Sequence, residues 1–374
     1  MLKGVHLTLM IGPVVPVPAP KVVMQALQSV QVTSGKDRSG FQITFSVGKN
    51  SPLLTTMLPA GYFDPISTRV CIVATVNGFP YVLMDGMVTQ QEFSPSNEVG
   101  QSTLSITGED LSLAMDIVDY VLPYPAIPVV ARVNLILAKY AFLGIIPVVI
   151  PPIIPVAEIP TKSFETQTTT DRAYIKSLAR KAGYVFYVEP GPAPLSSIAY
   201  FGPDIRIPIP QSALNVDMDA HTNVESMSFS LDGLAKKLTI ITILDPVTGK
   251  IPIPIPIPNI SLFKPPLGLR PTAPARVEFQ SDYAKLTPDK AAAKVLGLLM
   301  NNSDAISVSG SLDVVRYGQP LLSKLIVGVR GAGIAYDGLY YVNTVTHKIK
   351  HGEYKQSFTL SRDGLISNTP KVLP

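Results

Sequence analysis

Tyr340-Tyr341-Val342-Asn343-Thr344-Val345-Thr346-His347-Lys348-Ile349-Lys350-His351-Gly352-Glu353-Tyr354-Lys355-Gln356-Ser357-Phe358-Thr359-Leu360-Ser361-Arg362-Asp363-Gly364-Leu365 is the stretch on which the fold class turns. β-branched and aromatic residues dominate it, and apolar positions alternate with polar ones. That is the period of a strand with one buried face. The spacing predicts two adjoining strands, Leu339 to Lys350 and Tyr354 to Ser361, with Gly352-Glu353 at the tip.

Upstream, Ala305 to Val315 and Lys324 to Val329 read as further strands, after a helix over 288–300 with an Ala/Leu face. Val224 to Leu231 and Ala235 to Leu244 read as a strand pair joined through Asp232-Gly233. Between them and the helix runs Ile251-Pro252-Ile253-Pro254-Ile255-Pro256-Ile257-Pro258. Alternating prolines remove every second backbone donor, so this run cannot be a central strand. It is expected as an extended projecting loop within 245–275 whose side chains need a partner surface. Together, 216–374 form one β-domain.

Residues 29–112 form another. Val30, Val32, Phe41, Ile43, Phe45 and Val47 alternate with polar residues around the turn at 34–40. Asn77-Gly78, between Arg69 to Val76 and Tyr81 to Thr89, is a hairpin signal because both positions suit positive φ. Thr103 to Gly108 adds a strand. Residues 113–215 read as a small α/β insertion. It holds a helix from Val129 to Phe142 opened by Pro128, and a second helix opened by Thr170-Asp171-Arg172 and closed by Gly183. Strands Tyr184 to Glu189 and Ile198 to Phe201 come next. Residues 1–28 read as an apolar, Pro-rich arm, with Val22 to Leu27 a short strand or helix. The expected architecture is mainly β: two tube-like β-barrel domains flanking a small α/β domain.

Composition limits the function. The net charge of +4 is too small to argue for nucleic-acid binding, and no Lys/Arg stripe is interleaved with aromatics. The single cysteine, Cys71, lies in an apolar strand and reads as a small buried hydrophobe. Prolines at 13, 16, 18 and 20 interrupt the N-terminal apolar run, so no signal peptide is expected. The uncharged stretch from Tyr140 to Ala157 approaches bilayer-spanning length. Pro147, Pro151, Pro152 and Pro155 forbid a spanning helix there, and it reads as extended and buried or interface-facing.

No catalytic, cofactor-binding or metal-ligating set emerges. His347 and His351 are four apart, but a strand and its turn separate them, so they read as surface or turn histidines. Gly328-Val329-Arg330-Gly331-Ala332-Gly333 is followed by a strand where a phosphate loop needs a helix, and reads as a flexible β–β connection. Asp217 and Asp219 have no partner in the sequence. Asp282 and Asp289 flank a helix start, where acids suit the dipole. The chain is not expected to be an enzyme.

Three segments carry a resemblance. The 340–362 hairpin resembles the closing hairpin of the phage baseplate-hub family, which includes late-control D proteins and the hub part of type VI secretion spike proteins. Asp171-Arg172-Ala173-Tyr174-Ile175-Lys176-Ser177-Leu178-Ala179-Arg180-Lys181-Ala182-Gly183-Tyr184-Val185-Phe186-Tyr187-Val188 resembles that family's central helix-then-strand element. Gly100-Gln101-Ser102-Thr103-Leu104-Ser105-Ile106-Thr107-Gly108-Glu109-Asp110 resembles the end of its first barrel. The resemblance implies two barrels per chain and a homotrimeric ring of six barrels. One face of that ring would match a sixfold tail tube or tube initiator, and the other a threefold spike. Neither an oligosaccharide-fold domain, nor spike repeats, nor a muramidase segment is evident. A separate spike protein and other baseplate proteins are therefore the implied partners, with no cofactor, no specific nucleic acid and no stable membrane insertion. The expected location is a virion tail baseplate or assembled injection particle, synthesised in the bacterial cytoplasm. A tail-associated cell-wall hydrolase and a membrane-active protein are the alternatives. The roles of the Ile-Pro run and the N-terminal arm stay open.

Overall fold

A computed structural model describes residues 4–36, 39–98, 101–125, 127–153, 165–206, 210–244, 252–257, 264–280, 292, 295–299 and 304–369. The first seven strands are β1 (Val5–Gly12), β2 (Val17–Pro18), β3 (Leu27–Gly35), β4 (Gly40–Ser46), β5 (Arg69–Val76), β6 (Phe79–Ser94) and β7 (Thr103–Asp110). Then come β8 (Leu122–Tyr124), β9 (Ile145–Val149), β10 (Glu165–Gln167), β11 (Val185–Pro190) and β12 (Ser197–Gly202). The C-terminal set is β13 (Pro210–Asn215), β14 (Val224–Leu231), β15 (Lys237–Leu244), β16 (Pro252–Ile257), β17 (Gly268–Pro271), β18 (Arg276–Gln280), β19 (Ile306–Asp313), β20 (Ile326–Arg330), β21 (Gly338–Lys350), β22 (Glu353–Arg362) and β23 (Gly364–Ser367). The main helices are α1 (Lys21–Ala26), α2 (Val129–Ala138) and α3 (Asp171–Ala182). The chain is mainly β, as its alternation implies.

Among the described residues, thirteen strands share one sheet, in the order β14-β19-β22-β21-β3-β4-β7-β6-β5-β1-β2, with β20 also on β21 and β13 on β20. The 340–365 stretch is central to it. Lys350 pairs with Glu353 and Ile349 with Tyr354. The turn is therefore His351-Gly352, one residue earlier than expected, with Gly352 at φ +78°. One flank of β21 carries β22. The other carries β20 against Gly338–Tyr341 and then β3 against Thr344–Lys350. A bulge at Asn343, between Val342 and Thr344, interrupts the β22 pairing. An extra residue there bends the strand and re-aims the residues beyond it. N- and C-terminal strands thus meet edge to edge.

Alternation also sets the core. Val30, Val32, Phe41, Ile43, Phe45 and Val47 are all buried, and they share one cluster with Leu312, Val345, Phe358 and Leu360 from the other end of the chain. Each such side chain contributes roughly 1.5–3 kcal/mol on burial. The Asn77-Gly78 turn has both residues at positive φ, 51° and 87°, which matches the twist of the flanking strands.

Several expectations are corrected. Residues 5–12 are no free arm: β1 pairs along the whole of β5, from Val5↔Val76 to Gly12↔Arg69, and buries Leu9 and Ile11. Of the two readings left open for Val22 to Leu27, strand or helix, the helix holds over Lys21–Ala26. The strands at 224–231 and 237–244 are not partners. β14 pairs with β19, and the turn after Leu231 carries the chain into a separate sheet, β16-β15-β18. Residues Pro252–Ile257 of the Ile-Pro run supply one of that sheet's two edge strands rather than a projecting loop. Residues 245–251, 258–263 and 281–291 lie outside the described residues, so Asp282, Asp289 and the start of the expected 288–300 helix do too; 295–299 are helical.

A second core joins α2, α3 and the sheet β11-β12-β9 through Val133, Ile136, Ile175, Leu178, Phe186 and Phe201. Helix α3 begins where Thr170 Oγ1 accepts from Ala173 N at 3.2 Å and ends at Gly183, φ +70°. Helix α2 starts after Pro128, whose fixed φ suits the entry, and stops at Ala138 instead of running on to Phe142. A 3-10 turn over Ala141–Leu143 and Gly144 at φ +75° turn the chain into β9. Residues 145–149, within the apolar stretch of near-spanning length, form that strand. No helix among the described residues is long and apolar enough to cross a membrane.

Candidate functional site

The N-terminal β-strands, the α2–α3 unit and the C-terminal β-strands converge on one cavity of about 560 Å³. Ser34 and Tyr81 line it from the first, Tyr187, Glu189, Tyr200 and Asp204 from the second, and Lys324, Tyr341 and His347 from the third. Its charges are matched in place. Asp204 accepts from Lys36 Nζ at 2.5 Å and pairs with Lys264 Nζ at 2.8 Å. Burial pushes its carboxyl upward, but the two ammonium groups outweigh that and hold it below the usual carboxylate range. Lys324 Nζ lies 2.7 Å from Glu189 and 3.9 Å from the centre of the Tyr187 ring, which stacks on Tyr200.

Beside the cavity, Arg206 Nη2 donates to Asp304 at 2.5 Å, with its guanidinium over Tyr341. At the contact with the Leu195–Ser197 segment, the buried Arg69 grips Asp85 through Nε and Nη2, at 2.7 and 2.6 Å. The same Nη2 donates to Leu195 O, and Ser197 Oγ donates to Asp85. These contacts tie β5 and β6 to the loop before β12. Such pairs fix orientation more than they add stability, because desolvating both ions offsets much of their attraction.

The arrangement suits fixing three parts at set angles. It does not suit acid–base chemistry: Glu189 and Asp204 are both engaged by lysines, and burial pushes the phenol pKa values of Tyr187, Tyr200 and Tyr341 up. Among the described residues no three or more His, Cys, Asp or Glu groups are placed to hold a metal.

The residues singled out in the sequence are scattered. His347 is buried, not a surface or turn residue, and burial pushes its imidazole down to about 3. Its Nδ1 lies 2.8 Å from Tyr354 Oη and 3.1 Å from Gln356 Nε2. His351 is exposed in the turn. Cys71 is buried opposite Asp85, and burial with that carboxylate pushes its thiol up to about 11. Asp217 sits in the loop after β13 and Asp219 opens a 3-10 turn over Asp219–His221, both at φ +48°. Gly328-Val329-Arg330 belong to β20, so only Gly331-Ala332-Gly333 lie in the connection to β21, and that connection is tied down rather than flexible. Asp337 accepts from Ala332 N, and Arg362 donates to Ala335 O and Asp337 O at 2.8 Å each. No local pattern in the sequence marks the cavity, since its lining comes from positions as far apart as Ser34 and His347.

Exposed apolar side chains mark a separate feature. Phe142, Ile146 and Val148 lie on and beside β9, the edge of its sheet, while Val277 and Phe279 lie on β18. Exposed apolar groups gathered this way are what partner surfaces leave on an isolated chain.

No family model matches the sequence, and no curated protein matches it. Solved structures do. The tail protein from Neisseria meningitidis MC58 is 12% identical, with a TM-score of 0.61 over 97% of this chain and 98% of that one. The 43 kDa tail protein of prophage MuSo2 from Shewanella oneidensis is 11% identical, with a TM-score of 0.61 over 96% and 99%. A chain of the Francisella PdpA-VgrG complex, half-lidded, is 9% identical with a TM-score of 0.56; all of this chain matches 60% of that one. The fold is that of phage tail proteins, and the resemblance to baseplate-hub proteins holds at that level.

Proposed function

We propose that the protein is a structural hub of a contractile tail or phage-derived injection machine. Three copies would form a ring that adapts a sixfold tube to a threefold spike. The observation that carries this reading is the continuous sheet. Two sets of strands, one from each end of the chain, join side by side through β3 and β21. A single chain so built offers two tube-like segments, and three copies would offer six. Fold likeness to tail proteins over nearly their whole length supports the same reading.

The charge-matched junction supports it as well, because a symmetry adaptor needs its parts held at fixed angles. The expected partners are a tail tube or tube-initiator protein, a separate spike protein and other baseplate proteins, and the expected location is the tail baseplate or injection particle. The domain limits proposed with it are 29–112 and 216–374 for the two tube-like parts and 113–215 for the insertion, with β1 added to the first.

Electron microscopy of the purified protein tests the proposal. A threefold ring is the expected image. A stable monomer that does not associate with tail particles overturns it. Clearing of a peptidoglycan suspension, abolished by one acidic substitution, would favour the hydrolase reading instead.

A further inference from the structure

The Ile-Pro strand has a property set by its register. In β16 every proline faces a fixed partner on β15: Pro252↔Leu244, Pro254↔Thr242 and Pro256↔Ile240. The isoleucines alternate with them: Ile253↔Ile243, Ile255↔Ile241 and Ile257↔Thr239. Opposed residues in an antiparallel ladder alternate between exchanging both hydrogen bonds and exchanging none. Proline has no N–H. The ladder can therefore exist in one phase only, with Ile253, Ile255 and Ile257 bonded inward to β15. The nitrogens and carbonyls of Pro252, Pro254 and Pro256 then face outward. No described residue pairs with that outer edge. It presents carbonyl acceptors and no donor.

The inner face is apolar: Ile257 is buried with Ile241, and Ile255 packs against them together with Val295, Leu298 and Leu299. Without its prolines the strand would be a short, uncharged, isoleucine-rich edge, the signature of segments that pair copy to copy. With them, two such edges brought together have no hydrogen bond to share and would bury unpaired carbonyls.

We infer that the Ile-Pro strand is a donor-free edge that prevents copies of this chain from pairing edge to edge through β16. A proline every second residue matches the two-residue period of a strand, so the block falls wholly on the outer side and costs the inner ladder nothing.

The test is the full-length chain with Pro254→Val and Pro256→Val together, and separately with Pro254→Ala and Pro256→Ala. The alanine pair restores the donors without adding β-branched side chains. Analytical ultracentrifugation over a concentration series, with hydrogen exchange on the same samples, reads the result. Both pairs are expected to form species heavier than the wild type that grow with concentration. In those species the amides at positions 254 and 256 should be protected roughly tenfold or more, because they now donate across the new edge. Variants that keep the wild-type size overturn the inference. So do larger species in which these two amides exchange freely, since association would then run through another surface.

Discussion

His347 and Arg362 are large polar side chains held inside a β-sheet protein, and each is buried for a different reason. Arg362 is fully buried beside Tyr340, and its guanidinium donates to three backbone carbonyls, those of Gly364, Asp337 and Ala335. A planar fork with five donors can serve three diverging carbonyls where a lysine cannot. His347 is buried as the neutral ring among Tyr354, Gln356 and the segment at Leu321. Burial lowers its pKa to about 3 from the ordinary 6.5. Protons then bind the unfolded chain more readily than the folded one. The neutral ring's contribution is complete above the unfolded value and falls away as the pH drops from 6.5 toward 3. Between pH 7 and pH 5 the chain should lose about 2 kcal/mol of stability through this one group. Urea unfolding of the wild type and His347→Gln at both pH values checks this: the gap between the two should shift by about that amount. A gap that stays constant would mean that protonation of His347 does not differ between the folded and unfolded chains.

Among the elements, those governed by local chemistry were legible in the sequence, and those governed by pairing were not. Helix α3 was readable because Thr170 and Gly183 act on the backbone next to them. The hairpin at Asn77-Gly78 was readable because a two-residue turn sets its own register; the C-terminal hairpin was readable from its alternation, but its tip is His351-Gly352, one residue before the expected Gly352-Glu353. Partner choice for β14 was not readable. Leu231 and Lys237 are close in sequence, but β19 offers β14 a full run of partners from Leu312 to Ile306. The place of β1 was hidden for the same reason: the prolines that follow it suggested an arm, while its partner β5 lies some sixty residues away. Reading the Ile-Pro run as extended was right, but its place at a sheet edge depends on β15. The C-cap of α3 has a second role that only packing reveals. A Cβ at Gly183 would lie 2.4 Å from Gly297 Cα, and the φ of +70° already disfavours any other residue. Gly183→Ala should cost about 2–4 kcal/mol, from the left-handed backbone and the overpacking together. It should also expose the 295–299 amides to faster exchange. An unfolding midpoint unchanged by the substitution would show that the two backbones need not approach so closely.

Among the described residues, three cores of unequal size organise the molecule. The first draws residues from both ends of the chain, so Ile43 on β4 and Phe358 on β22 belong to one cluster although the chain between them is long. A cluster shared in this way cannot lose one half without exposing the other half's apolar face. The β3–β21 ladder adds a backbone link along the same line. Among the described residues, the small core beneath the Ile-Pro strand contrasts with it: two buried isoleucines and a few half-buried neighbours. Local opening should be easy where few apolar groups are buried and hard where many are. Native-state hydrogen exchange in increasing urea should therefore find one common opening free energy for the amides of Ile43, Val345 and Phe358. The amide of Ile241 should open at a lower value, with a smaller dependence on urea because less surface is exposed. Different opening energies for Ile43 and Phe358 would mean that the two β-sets fold as separate units, and the rigid ring proposed for three copies would lose its physical basis. A common value would mean that the two β-sets form one cooperative body, as the proposed adaptor role requires.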